Sequence, residues 1–255
     1  MSSPTSPSGH WGLDDRRLYL CTPDRSDLQH FVEACIGGGV DIVQLREKHL
    51  PDNRLAKRAA LVQQVCGEHD VPFVLNDNPE LAAAIGADGV HVGQDDMSPI
   101  AARHLMGDRA IIGLSTHAPV ELDAAIGTPA AGREPVGGRE PVGGREPVAG
   151  RESPSTPRDR GPLPVDYISA GPIVATPTKP GRPGTGLGYI REAVRRAPWS
   201  VWVTGGADPT TVADMIVAGA RHFVAVRWLT EAADPKANAR ALRQSIDQTI
   251  DLAGG

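Results

Sequence analysis

Short runs of β-branched and other apolar residues alternate along the chain with longer stretches whose apolar positions recur every three or four residues. The short runs fall at 18–21, 41–45, 73–75, 89–92, 111–113, 167–170, 201–203 and 223–226, each of strand length. Helical spacing is clear at Leu28, Phe31, Val32 and Cys35, and it returns at 55–66, 99–106, 120–126, 211–217 and 235–252. Three joins share one form: Gly39-Val40-Asp41, Gly86-Ala87-Asp88 and Gly219-Ala220-Arg221 each set a glycine just ahead of a strand. Glycine accepts the left-handed turn that ends a helix and sends the chain back to a sheet. Eight strands separated by helices predict an α/β fold, a single closed (β/α)8 TIM barrel. An open doubly wound sheet fits less well, because no GxGxxG follows the first strand.

One stretch breaks the alternation. Arg133, Arg139, Arg145 and Arg151 mark a Gly-Arg-Glu-Pro-Val-Gly repeat with a six-residue period, which passes into a Pro/Ser/Arg run. It has no apolar face, so residues 128–164 are expected to form a disordered, low-complexity repeat insertion between the fifth helix and the sixth strand. A connection from helix to strand lies at the bottom of a barrel, away from the catalytic face. The Ser- and Pro-rich residues 1–16 are expected to be a disordered tail, leaving 17–255 as the interrupted barrel.

Composition narrows the function classes. The 255 residues carry a formal net charge of −5, which argues against a general nucleic-acid binder or a polybasic membrane binder. No apolar run approaches the ~20 residues of a membrane span, and the first ten residues lack a signal-like apolar core. Cys21, Cys35 and Cys66 have no CxxC spacing and read as buried thiols of a reducing compartment, so a cytoplasmic location is expected.

In a barrel the residues just beyond each strand share one rim, so they can be pooled into one site. Gln44, Arg46 and Lys48 follow the second strand with one parity; if the extended geometry persists, they face one side and form a fork for a diphosphate. Lys179, beyond the sixth strand, would add a further cation. Asp77 and Asp96 stand beyond successive strands, and two carboxylates beside cations suit Mg²⁺ completed by phosphate oxygens. Bland readings compete here. Asn76-Asp77 is also a turn signal, Asp95 or Asp96 could cap a helix although Ser98 before Pro99 is the better cap, and His91 and His117 read as structural histidines. Gly205-Gly206, before a helix start expected at Asp208-Pro209, suits a second phosphate held by backbone N–H groups and a helix N-terminus. No Ser-His-Asp or Cys-His arrangement is evident.

In order and separation, Gln44-Leu-Arg-Glu-Lys48, Asn76-Asp77, Gly89-Val-His-Val-Gly-Gln-Asp-Asp96, Gly113-Leu-Ser115, Gly171-Pro-Ile-Val-Ala-Thr-Pro-Thr-Lys179 and Gly205-Gly206 resemble the thiamine phosphate synthase family. The likeness runs from Leu18 to Leu252 apart from the repeat. It implies displacement of pyrophosphate from 4-amino-2-methyl-5-hydroxymethylpyrimidine diphosphate by the ring nitrogen of 4-methyl-5-(2-phosphoethyl)thiazole. It implies that the stretch Gln44, Leu45, Arg46, Glu47 and Lys48, with Asn76, Ser115 and Lys179, binds the pyrimidine diphosphate. Thr176, Pro177, Thr178, Gly206, Val226 and Arg227 would bind the thiazole phosphate, and Asp77 and Asp96 would hold one Mg²⁺ per subunit. The implied catalytic set is Arg46, Lys48, Lys179 and Ser115. Asn78 stands where the family leads one to expect a basic residue, Ala207 where isoleucine is usual, and Arg227 where some members have serine.

The expected partners are therefore two small-molecule substrates, with neither nucleic acid nor membrane, and the oligomeric state is left open. A thiazole tautomerase on the same fold would not need all of Gln44, Arg46, Lys48, Asp77, Asp96 and Lys179. A non-catalytic regulator would bind thiazole phosphate without turnover. A sugar-phosphate epimerase or aldolase barrel would need carbonyl chemistry, which clustered cations serve less well.

Overall fold

The computed structural model describes residues 11–127, 162–175 and 184–254. Eight parallel strands close into a barrel in chain order: β1 (Leu18–Thr22), β2 (Ile42–Leu45), β3 (Phe73–Asn76), β4 (Gly89–Val92), β5 (Ile111–Thr116), β6 (Tyr167–Ala170), β7 (Ser200–Thr204) and β8 (His222–Ala225). Pairing of β8 with β1, Phe223 beside Leu18 and Ala225 beside Leu20, completes the ring. Around it run α1 (Leu28–Ile36), α2 (Asp52–Glu68), α3 (Pro79–Ile85), α4 (Pro99–Met106), α5 (Pro119–Ile126), α6 (Gly186–Arg196), α7 (Val212–Val217), the single turn α8 (Arg227–Thr230) and α9 (Pro235–Gly254). Among the described residues no helix is long and apolar enough to cross a membrane.

Closure gives strand residues two destinations, both largely buried. Leu18, Leu20, Val43, Leu45, Phe73 and Leu75 point outward into the layer shared with the helices. Tyr19, Ile42, Val74, Ile111, Tyr167 and Trp202 point inward and fill the lumen. Because both faces are buried, the strands read as continuous apolar runs, with no clean polar alternation. Helix starts follow local chemistry: Asn78 Oδ1 accepts from Leu81 N at 2.9 Å ahead of Pro79, and Ser98 Oγ accepts from Ala101 N at 3.2 Å ahead of Pro99. Ser98 is the expected cap, and the unusual Asn78 is explained by its capping role. Gly39, Gly86 and Gly219 all have positive φ at the helix-to-strand joins.

The bottom of the barrel carries a repeated device. Asp41 accepts from Arg17 N (2.8 Å) and Leu18 N (3.0 Å), Asp88 from Phe73 N (2.9 Å), and Asp166 from Ile112 N (2.7 Å). Each carboxylate precedes an even-numbered strand and satisfies N–H groups at the start of the odd-numbered strand beside it. Residues 11–16, expected in the tail, help close this end: Leu13 is buried, and Arg16 donates to Trp11 O and to Asp41 O. Leu163, expected within the insertion, donates its N–H to Ala125 O at 2.9 Å and packs against the core. Leu13 is buried and Leu163 partly buried, so both edges are tied to the barrel. The rest of the expected tail, 1–10, and of the insertion, 128–161, lies outside the described residues. Cys21, Cys35 and Cys66 are all buried, and none of them is in a disulfide.

Candidate active site

A cavity of about 430 Å³ opens at the C-terminal ends of the strands. Its floor is formed by inward-facing side chains of the lumen: Tyr19, Cys21, Gln44, His91, Ser115, Tyr167 and Ser169. Arg46 and Asn76 line one side, and Gly205, Gly206, Val226 and Arg227 line another. The first group lies beyond β2 and β3 and the second beyond β7 and β8, so the two anion-binding regions read from the chain border one space.

The floor is a continuous hydrogen-bond chain. Gln44 Nε2 donates to the Tyr19 hydroxyl (3.2 Å), which meets the Tyr167 hydroxyl (2.9 Å). Tyr167 meets His91 Nδ1 (2.9 Å), His91 Nε2 meets Ser115 Oγ (2.9 Å), and Ser115 meets Ser169 Oγ (3.4 Å). Cys21 Sγ donates to Gln44 Oε1 at 3.0 Å, which fixes the amide. The ordering that leaves no buried donor idle runs from Gln44 through Tyr19 and Tyr167 to a neutral His91 protonated at Nε2. Ser115 Oγ then accepts from His91 and keeps its own proton to donate. Burial holds the Tyr19 and Tyr167 hydroxyls well above the usual phenol range, so the chain stays uncharged.

His91 is on β4 and Tyr167 on β6, so their bond must cross β5. Gly113 of β5 lies beneath it, and a Cβ there would meet Tyr167 Cζ at 2.2 Å and His91 Nδ1 at 2.5 Å. Lack of a side chain at this one position lets the floor connect.

The stretch 44–48 divides by orientation. Gln44 faces the lumen and Arg46 the cavity. Leu45 was expected to bind substrate, but it is fully buried among the helices, because its parity is opposite to that of Gln44 and Arg46. Glu47 is also turned away: Oε1 accepts from His49 N (2.9 Å) and Oε2 from Asp24 N (3.4 Å), an arrangement that keeps a carboxylate off an anion site. Lys48 does not share the cavity with Arg46, since the strand ends at Leu45; its Nζ pairs with Asp77 Oδ2 at 2.7 Å.

Asp77 occupies a left-handed conformation, φ 64°, just beyond β3. Burial alone would raise its carboxyl, but the Lys48 contact, a hydrogen bond shared with Asp96 and the charge of Arg46 hold it below the usual range. Burial and the neighbouring Asp77 push the Asp96 carboxyl up, against a 2.7 Å bond from Gly93 N. Two neighbouring carboxylates repel each other when both are ionised, and a bound cation would relieve that repulsion. Among the described residues no three metal-ligating side chains converge. The donor set still fits Mg²⁺, which takes one or two carboxylates and fills its remaining positions with water and phosphate oxygens.

At the second anion region Gly205 and Gly206 have φ near 90°, at 90° and 92°. The helix expected to start at Asp208-Pro209 begins only at Val212. Asp208 Oδ1 accepts from Thr210 N (2.8 Å) and Thr211 N (3.2 Å), forming a turn in place of the helix's first turn. Backbone groups at the two glycines and the Arg227 side chain, rather than a helix N-terminus, are what this side offers an anion. Trp228 Nε1 donates to Asn238 O and Asn238 Nδ2 to Trp228 O, fixing α8 on α9. Thr176, Pro177, Thr178 and Lys179 lie outside the described residues.

Tyr19, His91, Tyr167 and Ser169 were not anticipated in the site. Strand parity held a signal: His91 shares its face with Gly89 and Gly93, and Tyr167 shares its face with Ser169. His117 is structural as expected, with Nδ1 on Glu121 Oε2 at 3.0 Å. A second cavity of about 530 Å³ lies at the bottom, beside Leu13, Trp199 and His222. Its polar groups are already committed, Ser200 to Asp14 and His222 to Arg16 O.

Residues 18–131 and 156–229 match the family described as "Thiamine monophosphate synthase". A protein of Thermobifida fusca named thiamine-phosphate synthase is 37% identical over 238 residues, covering 92% of this chain and 94% of the relative. One of Mycobacterium leprae with the same name is 38% identical over 252 residues, covering 93% of each. Among solved structures, a thiamine phosphate pyrophosphorylase from Pyrococcus furiosus superposes with a TM-score of 0.70 at 21% identity, covering 92% of this chain and 96% of that one, a likeness of fold.

Proposed function

The chain belongs to the thiamine monophosphate synthase family and is a transferase of thiamine biosynthesis, and from that premise we propose how its residues divide the work. The reaction joins 4-amino-2-methyl-5-hydroxymethylpyrimidine diphosphate to 4-methyl-5-(2-phosphoethyl)thiazole, giving thiamine phosphate and pyrophosphate. The pyrimidine sits on the lumen floor, where Gln44 and Ser115 present polar atoms at fixed positions, and its diphosphate extends toward Arg46, Asn76 and Lys48. Lys179 belongs with these cations on the family resemblance. The thiazole phosphate lies against Gly206, Val226 and Arg227; Thr176, Pro177 and Thr178 are assigned to it on the family resemblance alone.

Asp77 and Asp96 would hold one Mg²⁺, which supplies positive charge to the departing diphosphate. Arg46 and Lys48 add fixed charge where the leaving oxygens gain theirs. As the bond from the exocyclic methylene carbon to the diphosphate oxygen breaks, its electron pair leaves with the diphosphate. The aminopyrimidine spreads the positive charge, and the thiazole nitrogen donates its lone pair to the carbon. No proton needs removal from that nitrogen, which agrees with a floor whose histidine is hydrogen-bonded at both ring nitrogens. Catalysis is then positioning and electrostatics.

The observation that carries this reading is that Arg46 and the Gly206–Arg227 side border one cavity above a polar floor. The test is pyrophosphate release with each substrate alone and with both. Release that needs both substrates and stops in EDTA supports the assignment; full release from either substrate alone, or indifference to EDTA, contradicts it. Turnover of the thiazole without the pyrimidine would favour the tautomerase.

A further inference from the structure

The two half-sites lie on different strands, yet the reaction demands that a ring nitrogen reach a methylene carbon at near-contact distance. An error of about 1 Å in that approach costs on the order of 10²-fold in rate. We propose that residues 23–27, the loop between β1 and α1, are a strap that holds the two halves in register, with Arg58 of α2 as its positioning residue. The proposal rests on the division of substrates given above.

On one side the strap holds the diphosphate loop. Asp24 N donates to Glu47 Oε2 at 3.4 Å; just before the strap, at the end of β1, Thr22 O accepts from Arg46 N at 2.8 Å. Glu47 stands between Arg46 and Lys48, so fixing it fixes the backbone that carries both cations. On the other side Arg25 Nη1 donates to Thr230 O at 3.2 Å. Thr230 is the last residue of α8, whose first residue, Arg227, lines the cavity.

Arg58 joins the two. Its Nε donates to Asp24 Oδ1 at 2.5 Å and its Nη2 to Arg25 O at 2.5 Å, so one guanidinium grips a side chain and the next residue's main chain. A planar fork fixes both acceptors at once, which a lysine ammonium cannot do. Arg25 is held further by Asp27, at 2.5 and 3.1 Å, and by stacking 3.9 Å over the Phe31 ring. Asp24, Arg25, Glu47 and Arg58 are all absent from the cavity wall, so they act through other residues.

The strap predicts a pattern of constants that local stapling does not. In steady-state pyrophosphate release by the full chain, Glu47→Ala should raise KM for the pyrimidine diphosphate roughly tenfold and spare KM for the thiazole phosphate. Arg25→Ala should do the reverse. Arg58→Ala should raise both and lower kcat by roughly tenfold or more, with partial recovery in Arg58→Lys. Each assay is run well below the variant's own Tm; should Arg58→Ala not fold, Arg58→Lys reports the same two KM values. Lowered Tm with unchanged kcat and KM would overturn the strap, as would Glu47→Ala and Arg25→Ala affecting both substrates alike. A wild-type chain that releases no pyrophosphate from the two substrates together sinks the strap along with its premise, a result distinct from either.

Discussion

His91 and Tyr167 hydrogen-bond across an intervening strand, Nδ1 to hydroxyl at 2.9 Å, over the space left by Gly113. Gly113→Ala would drive a methyl group into two buried rings. It should cost about 1–3 kcal/mol of stability. It should also cut turnover more than its loss of stability explains, because Ser115 is aligned through His91. Chemical denaturation with kinetics on the same samples separates the two; a variant with normal kcat and normal stability would show that the bridge is dispensable.

Leu45 and Arg46 are neighbours with opposite duties. Leu45→Ala should cost about 2–5 kcal/mol and leave KM unchanged in the folded protein. Arg46→Ala should leave stability within about 0.5 kcal/mol. It should lower kcat/KM for the pyrimidine diphosphate on the order of 10- to 100-fold. An equal effect of both on KM would contradict the strand parity.

Asp77→Asn and Asp96→Asn should each raise the Mg²⁺ concentration for half-maximal rate by roughly tenfold or more. A magnesium titration at saturating substrate reads this directly. Unchanged metal dependence in both variants would remove the pair from the diphosphate site.

His222 is buried at the barrel bottom, its ring 5.0 Å from that of Trp202 and its Nδ1 2.7 Å from Arg16 O. Burial lowers its pKa below the ordinary 6.5. The unfolded chain therefore takes up a proton at higher pH than the folded one, so stability is full above about 6.5 and falls as pH drops through the folded value. Tm measured from neutral to mildly acidic pH should decline, and His222→Phe should flatten that decline. An identical slope in the variant would assign the effect to other groups.

Gly127 and Pro162 flank the repeat on the face opposite the cavity, where Leu163 is tied to Ala125. Replacing 128–161 with a short Gly/Ser linker should leave kcat/KM within about two-fold, since the flanking Gly127 and Pro162 stand at the end of the barrel away from the catalytic face. Complete loss of activity in a folded deletion would give the repeat a function.

Much of the fold was legible because local chemistry repeats. β4 and β6 have the same bounds in the chain reading and in the structure, since glycine and acidic residues punctuate them. Ser98 before Pro99 marks its helix in either view. α3 and α6 were missed, because α3 buries only Pro79 and Ala82 and α6 only Tyr189, Ile190 and Ala193 among arginines. The site was half legible: residues at and beyond the strand ends included Arg46, Asn76, Gly206 and Arg227, which line the cavity. The lumen floor was hidden, because Tyr19 and Tyr167 read as ordinary apolar strand residues.

By itself the sequence determined the alternation of strand and helix, the family, and the cations and carboxylates along one rim. Those follow from spacing and residue type, which are properties of neighbours in the chain. Only the tertiary structure decided that Leu45 and Glu47 face away from the cavity, that Tyr19 meets Tyr167, and that Arg58 grips the loop between the half-sites. The physical reason is ring closure: it assigns each strand residue to lumen or helix layer and brings together side chains that no local pattern relates.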